Sequence, residues 1–116
     1  WIAQPYANAM GPVTYDPRSG EILGAHVLLW PQALDFFSAY YFVLHSSVDP
    51  EAATFPFSDE RKGQLLTYIV AHEIGHTLGL RHNHIASTAY TIAEQRDPEF
   101  ANANGPNASI MAYGRF

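Results

Sequence analysis

The sequence predicts a single mixed α/β (α+β) domain with a partial sheet, an edge hairpin, a long central helix and an irregular C-terminal lobe. The length of 116 residues suits one domain and leaves no room for a second. A turn sequence separates two strand-like stretches near the start of the chain. An apolar, helical half is followed by a polar tail rich in turn residues, which predicts an upper lobe over about 1–79 and a lower lobe over about 80–116.

Composition excludes several classes of function. Hydrophobic residues make up 47% and charged residues 15%, which is enough apolar material for a core and too little charge for a disordered chain. The net charge of −5 argues against binding to a phosphate backbone, and no apolar run approaches the roughly 20 residues of a membrane span. The absence of cysteine excludes thiolate nucleophiles and thiolate metal sites. We therefore expect neither a nucleic-acid partner nor a membrane partner.

The N-terminal part predicts a β-hairpin. Residues 15–20 (YDPRSG) form a turn sequence, because proline presets φ and glycine accepts a positive φ. The turn joins a short stretch over 12–15 to the longer 21–30, which is rich in Ile, Leu and Val. Pro12 cannot donate to a ladder, so the first strand is expected at the edge of the sheet and the second nearer its centre.

Residues 32–46 (QALDFFSAYYFVLHS) predict a buried helix, with a strand as the alternative, and 48–57 predict a loop because they carry two prolines. Five aromatic side chains of this helix are expected mainly in the core, with a substrate pocket as the alternative: Phe36, Phe37, Tyr40, Tyr41 and Phe42.

A second, longer helix is predicted to begin near Ser58 or Asp59, either of which is a good N-cap, and to stop at Gly79. Ile69, His72 and His76 share one face of it. A second apolar stripe is expected to pack against the rest of the domain: Leu66, Val70, Ile74 and Leu78. Near the C-terminus, the sequence Asp-Pro-Glu at 97–99 can open a short helix that closes at Gly105.

The stretch from His72 to His82 (HEIGHTLGLRH) carries the chemistry. His72 and His76 lie one helical turn apart, close enough to hold one ion. Gly79 lets the backbone turn and brings His82 round as a third nitrogen ligand, a role for which His84 is the less favoured alternative. Three neutral imidazoles leave the fourth position of a tetrahedral Zn²⁺ open to water, as in catalytic sites. Glu73 is placed to act as the general base.

The spacing HExxHxxGxxH resembles that of the metzincin clan of zinc endopeptidases, and Met111 in the sequence SIMAY resembles that clan's Met-turn. The chain is also similar to large, multidomain bacterial zinc-dependent metalloproteases through AQPYANAMGP, DPRSGEILGA, HEIGHTLGLRHNH and SIMAYGRF. The resemblance implies a metzincin-like catalytic fragment of a longer extracellular or periplasmic parent with further domains. It implies one Zn²⁺ per chain and a polypeptide substrate, and a fragment lacking part of the sheet could be inactive alone. Asn83 departs from the residue that better-known families carry after the third ligand, so no specificity is transferred.

The resemblance also implies roles for residues outside the zinc motif. Tyr113 is similar to the tyrosine of the astacin and serralysin families, which binds zinc at rest and donates to the oxyanion when substrate arrives; a packing role is the alternative. Metzincins bind extended substrate along a sheet edge, and Pro12 marks the segment around it as an edge. We therefore expect a substrate rail formed by Met10, Gly11, Pro12 and Val13.

Two other functions remain open at this point. A non-catalytic module could keep zinc for structure or binding, and a zinc hydrolase could act on non-peptide amides. Glu73 favours catalysis, because a structural zinc site has no use for a positioned base. The expected function is zinc-dependent hydrolysis of peptide bonds.

Overall fold

A computed structural model describes residues 6–47, 49–105 and 107–113. Its elements confirm the mixed α+β class. The strands are β1 (Ala9–Met10), β2 (Val13–Tyr15), β3 (Ile22–Ala25) and β4 (Leu28–Leu29), and the helices are α1 (Pro31–His45), α2 (Asp59–Thr77), α3 (Ile92–Arg96) and α4 (Pro98–Asn104), with a 3₁₀ helix over His84–Thr88 between α2 and α3. The chain divides into two compact units, Trp1–Gly79 and Leu80–Phe116.

The four strands lie in the first unit and form two short antiparallel pairs. β2 pairs with β3 across the turn over 15–20, which confirms the hairpin, and β1 pairs with β4. The expected single strand over 21–30 is interrupted between β3 and β4, where the N–H of His26 donates to the carbonyl of Pro12 at 3.1 Å. The expectation of a more central second strand is wrong, because each strand has a single partner among the described residues.

Helix α1 confirms the helix predicted over 32–46 and begins with Pro31, whose missing N–H costs nothing in a first turn. Its predicted burial is wrong. The buried positions are the small residues Ala33 and Ser38, whereas none of the five aromatic side chains is fully buried and Phe36 and Phe42 are exposed. The helix is apolar on all sides, so periodicity alone does not identify the face that packs.

The ends of helix α2 are set by its N-cap residue and by the glycine that follows it. The Ser58 hydroxyl oxygen accepts a hydrogen bond from the N–H of Arg61 at 3.2 Å. This N–H belongs to the first turn of the helix, where backbone N–H groups have no carbonyl partner within the helix. After the helix, Gly79 takes φ +89°, a value that side chains disfavour, and the chain turns away. The predicted start near Ser58 or Asp59 is confirmed, with Ser58 as the N-cap and Asp59 as the first helical residue, and so is the stop at Gly79.

The buried side of α2 differs from the predicted stripe. Leu65, Ile69 and Glu73 are buried, whereas Ile74 is exposed and the Leu78 side chain is 70% exposed. Both α1 and β1 contact α2, and these distant segments decide which apolar stripe is covered. Burial of a side chain such as Leu65 or Ile69 contributes about 1.5–3 kcal/mol, so this side anchors the helix.

A polar network joins α1, the following loop and the first turn of α2. The Tyr41 hydroxyl donates to Asp49 Oδ2 at 2.9 Å, and the Arg61 guanidinium pairs with Asp49 at 3.6 Å and with Glu51. The hydrogen bond from Tyr41 holds the pKa of the Asp49 carboxyl below its ordinary value, with backbone N–H donors and Arg61 acting in the same direction. The network therefore favours the ionised form of Asp49.

The second unit contains the 3₁₀ helix, α3 and α4. Helix α4 confirms the predicted short helix: the Asp97 carboxylate caps it by accepting from the N–H of Glu99 at 2.9 Å, and Gly105 ends it with φ +75°. Helix α3 was not predicted, although Thr91 and Glu94 form a capping box whose spacing is visible in the sequence. No helix in the described part of the chain is long and apolar enough to cross a membrane.

Candidate metal centre

Two of the expected ligands stand on the last two turns of α2. His72 and His76 are separated by one helical turn, and their ring centroids lie 4.9 Å apart with the ring planes at 87°. Side chains at i and i+4 project from the same face of a helix, which brings the two imidazoles together without long-range contacts. The backbone of α2 is therefore sufficient to pair these two nitrogen donors.

His82 follows α2 and completes a group of three. One ring nitrogen from each of His72, His76 and His82 can be chosen so that all three lie within 4.8 Å of one another. His84 is not part of this group. Tetrahedral Zn²⁺ with Zn–N of about 2.0–2.1 Å places its ligand atoms about 3.3 Å apart, a distance that small side-chain rotations reach from this spacing. Three imidazole nitrogens without a thiolate or carboxylate among them suit Zn²⁺, and the donor set fits a zinc site.

Glu73 lies between the two helical ligands in sequence and is not one of the three donors. Its side chain is only 7% exposed. Burial raises the pKa of the Glu73 carboxyl above its ordinary value, while the imidazoles of His72 and His76 and the nearby backbone of Gly11 act in the opposite direction. A buried carboxyl beside the ligands is a group that can hold a proton close to the metal position.

The predicted Met-turn is a tight turn in the second unit. The N–H of Met111 donates to Ser109 Oγ at 3.1 Å, and the N–H of Ala112 donates to the Ser109 carbonyl at 3.1 Å. Met111 and Ala112 are buried. The Met111 carbonyl accepts from the N–H of Asn83 at 3.0 Å, so the turn is joined to the residue directly after His82. The turn therefore holds the segment that carries the third imidazole.

Tyr113 follows the turn and lies against two histidines of the same unit. Its ring centroid is 4.3 Å from that of His82 and 5.1 Å from that of His84. The Tyr113 side chain is 52% exposed. The structure thus places this phenol beside the expected third ligand, with much of its surface open to solvent.

The four residues of the predicted substrate rail lie at the start of the sheet. Met10 in β1 pairs with Leu28, Val13 in β2 pairs with Ala25, and the Pro12 carbonyl accepts from His26, so one edge of this segment is already paired. Gly11 lies against α2 instead: a Cβ built on it would stand 2.3 Å from the Glu73 carbonyl oxygen. Sequence reasoning did not find this contact, because no spacing rule relates Gly11 to the helix.

The three imidazoles form a group that fits a zinc-binding site. The family model described as Met-zincin matches residues 54–116, which include α2, all three histidines and Met111. The chain belongs to the Met-zincin family. No curated protein and no solved structure matches it.

Proposed function

We propose that this chain carries the catalytic centre of a zinc-dependent endopeptidase that hydrolyses polypeptides. The observation that carries the proposal is the three-histidine group with the buried carboxyl of Glu73 beside its helical members. Membership in the Met-zincin family supports the same activity. A site that only stored or structured zinc would gain nothing from a buried carboxyl next to its ligands.

His72, His76 and His82 would hold the ion through one nitrogen each. Bound Zn²⁺ would supply Lewis acidity at the scissile carbonyl and would lower the pKa of water toward about 7. Glu73 accepts the proton of the attacking water and passes it to the nitrogen of the leaving amine. Its burial suits this role, because a desolvated carboxyl with a raised pKa holds a proton between the two transfers.

Two further residues have proposed roles in handling the substrate. Tyr113 would donate a hydrogen bond from its hydroxyl to the oxyanion that develops on the scissile carbonyl, and one such donor typically contributes about 2.7–4 kcal/mol. Its exposure and its contact with the His82 ring support this role. The segment from Met10 to Val13 would guide an extended peptide by main-chain hydrogen bonds. We also propose an extracellular or periplasmic location and a longer parent chain.

Cleavage of an unstructured protein such as casein by the zinc-loaded chain tests the proposal. Wild type is compared with Glu73→Ala, and Glu21→Ala serves as a control because Glu21 is an exposed acid in the turn before β3. We expect Glu73→Ala to retain zinc and to lose about 10²–10⁴-fold in turnover, the usual cost of removing a general base, and Glu21→Ala to match wild type. Equal cleavage by Glu73→Ala would remove Glu73 from the mechanism. If the wild-type chain binds zinc and does not cleave casein, the same comparison in the longer parent chain distinguishes an inactive fragment from a non-catalytic module.

A further inference from the structure

Three aromatic rings of the second unit form a cluster that includes one expected zinc ligand. The ring centroid of Tyr113 lies 4.3 Å from that of His82 and 5.1 Å from that of His84, and the two imidazole centroids are 6.0 Å apart. Each ring is therefore a neighbour of the other two. His84 is not one of the three donors of the metal centre, so it is the member of the cluster to which the proposed function assigns no role.

A backbone hydrogen bond brings the three rings together. Asn83, which lies between the two histidines in sequence, donates its N–H to the carbonyl of Met111 at 3.0 Å. Tyr113 follows two residues after Met111, and Met111 and Ala112 are both buried. The bond therefore joins the segment that carries both imidazoles to a buried turn directly before the phenol.

The position of the Tyr113 hydroxyl depends on how the ring is held. The hydroxyl oxygen lies on the axis that runs from Cβ through the ring, so rotation about χ2 does not move it and χ1 alone selects its position from the three staggered choices. The side chain is 52% exposed, so it is not enclosed in a core. Contacts between aromatic rings favour particular ring arrangements. A contact between the rings of His84 and Tyr113 therefore acts on χ1, and through χ1 on the hydroxyl.

We propose that His84 is a positioning residue for Tyr113: its imidazole holds the phenol ring against His82, so that the hydroxyl stays next to the third zinc ligand. The consequence for turnover rests on the proposed function, in which Tyr113 donates to the oxyanion, whereas the ring contact itself does not. This role differs from the ligand role that the sequence left open for His84. The two roles predict different zinc affinities, because removal of a ligand weakens zinc binding and removal of a positioning ring does not.

NMR three-bond couplings that report χ1 of Tyr113 test the contact independently of activity. Wild type is compared with His84→Ala, with His84→Phe, which keeps a ring, and with the control Ile85→Ala, because Ile85 is the next residue and its side chain is 76% exposed. An aromatic contact of the usual strength predicts that His84→Ala lowers the ratio of the favoured χ1 rotamer to the others about twofold to tenfold. His84→Phe and Ile85→Ala are expected to match wild type. Equal rotamer populations in wild type and His84→Ala overturn the proposal.

Titration of the same metal-free variants with Zn²⁺ separates positioning from metal binding. We expect the zinc dissociation constant of His84→Ala to lie within about twofold of wild type, because His84 is outside the group of three donors. Binding that is weaker by about tenfold or more would make His84 a zinc ligand and overturn the positioning role.

Casein cleavage tests whether the contact acts through the hydroxyl. We expect His84→Ala to lower kcat about twofold to tenfold in the wild-type background, and to cause no further loss in Tyr113→Phe, which keeps the ring and lacks the hydroxyl. An equal loss in both backgrounds would refute the positioning role and leave the endopeptidase proposal, which Glu73→Ala tests, intact. In a chain that binds zinc without cleaving casein, the rotamer and zinc measurements alone decide the role of His84, and the proposed function is decided in the longer parent chain.

Discussion

The substitution Gly11→Ala tests the packing of the β1–β2 connection on α2. The added methyl group would stand 2.3 Å from the carbonyl oxygen of Glu73, and an ordinary contact begins near 3.4 Å, so the two segments must separate by about 1.1 Å (3.4 − 2.3). Neither neighbour can rotate away, because one is a backbone oxygen and the other is the Cβ of His76. The whole strand segment or the helix has to move.

The cost follows from that displacement. Forcing an extra methyl group into a packed site typically costs about 1–3 kcal/mol, and each kcal/mol lowers the Tm of a domain of this size by about 4 °C or more. A shift of about 1 Å in a catalytic group can reduce turnover about 10²-fold. We therefore expect Gly11→Ala to lose both stability and activity.

Urea unfolding and casein cleavage measure the two effects, with Gly24→Ala as the matched control. A Cβ on Gly24 meets no atom within 4 Å, so the same chemical change in β3 is expected to leave turnover at the wild-type value and stability at or slightly above it. If Gly11→Ala unfolds at the same urea concentration as wild type, the close approach of Gly11 to α2 is refuted.

Three further predictions concern the elements around the site. Gly63 lies in the interior of α2, and a Cβ built on it meets no atom within 4 Å. Gly63→Ala should therefore raise the free energy of unfolding in urea by about 0.5–1 kcal/mol, and a lower value would contradict an unstrained helix at this position. Ser58→Ala removes the N-cap of α2 and should cost about 1 kcal/mol by the same measurement, so an unchanged midpoint would show that the cap does not stabilise the helix. Tyr41→Phe should lower Tm at pH 7, because the hydroxyl stabilises ionised Asp49. Since the pKa of Asp49 is lower in the folded protein than in the unfolded one, this contribution is present above the ordinary value of 3.8 and disappears as the pH falls through the folded value. The Tm difference between the two proteins should therefore shrink as the pH falls below 3.8, and a difference that stays constant would contradict the assignment.

The parts of the fold that the sequence predicts are those set by residues close to one another in the chain. Ser58 marks the start of α2 and Gly79 its end because capping and positive φ involve only neighbouring backbone groups. The hairpin follows from the turn over 15–20 for the same reason. The burial of α1 and α2 was predicted wrongly, because each helix offers more than one apolar face and distant segments select among them.

In the candidate site too, the features that the sequence predicts are those set by residues close together in the chain. His72 and His76 follow from helical geometry, and Gly79 turns the chain toward His82 within a few residues. The contact between Gly11 and Glu73 joins the β1–β2 connection to α2, which lies far along the chain. Neither hydrophobic periodicity nor a sequence motif predicts such a contact. The roles of Tyr113 and of the substrate rail stay predictions.

Calorimetric titration of the metal-free protein with Zn²⁺ tests the central claim most directly, namely that three imidazoles form one zinc site. His72→Ala, His76→Ala and His82→Ala are compared with wild type and with His26→Ala, an exposed histidine outside the group. We predict one zinc per chain for wild type and for His26→Ala, and affinity at least about tenfold weaker for each of the other three variants, because a tetrahedral site loses one of its three protein ligands. Zinc binding by His82→Ala as tight as that of wild type would contradict the account.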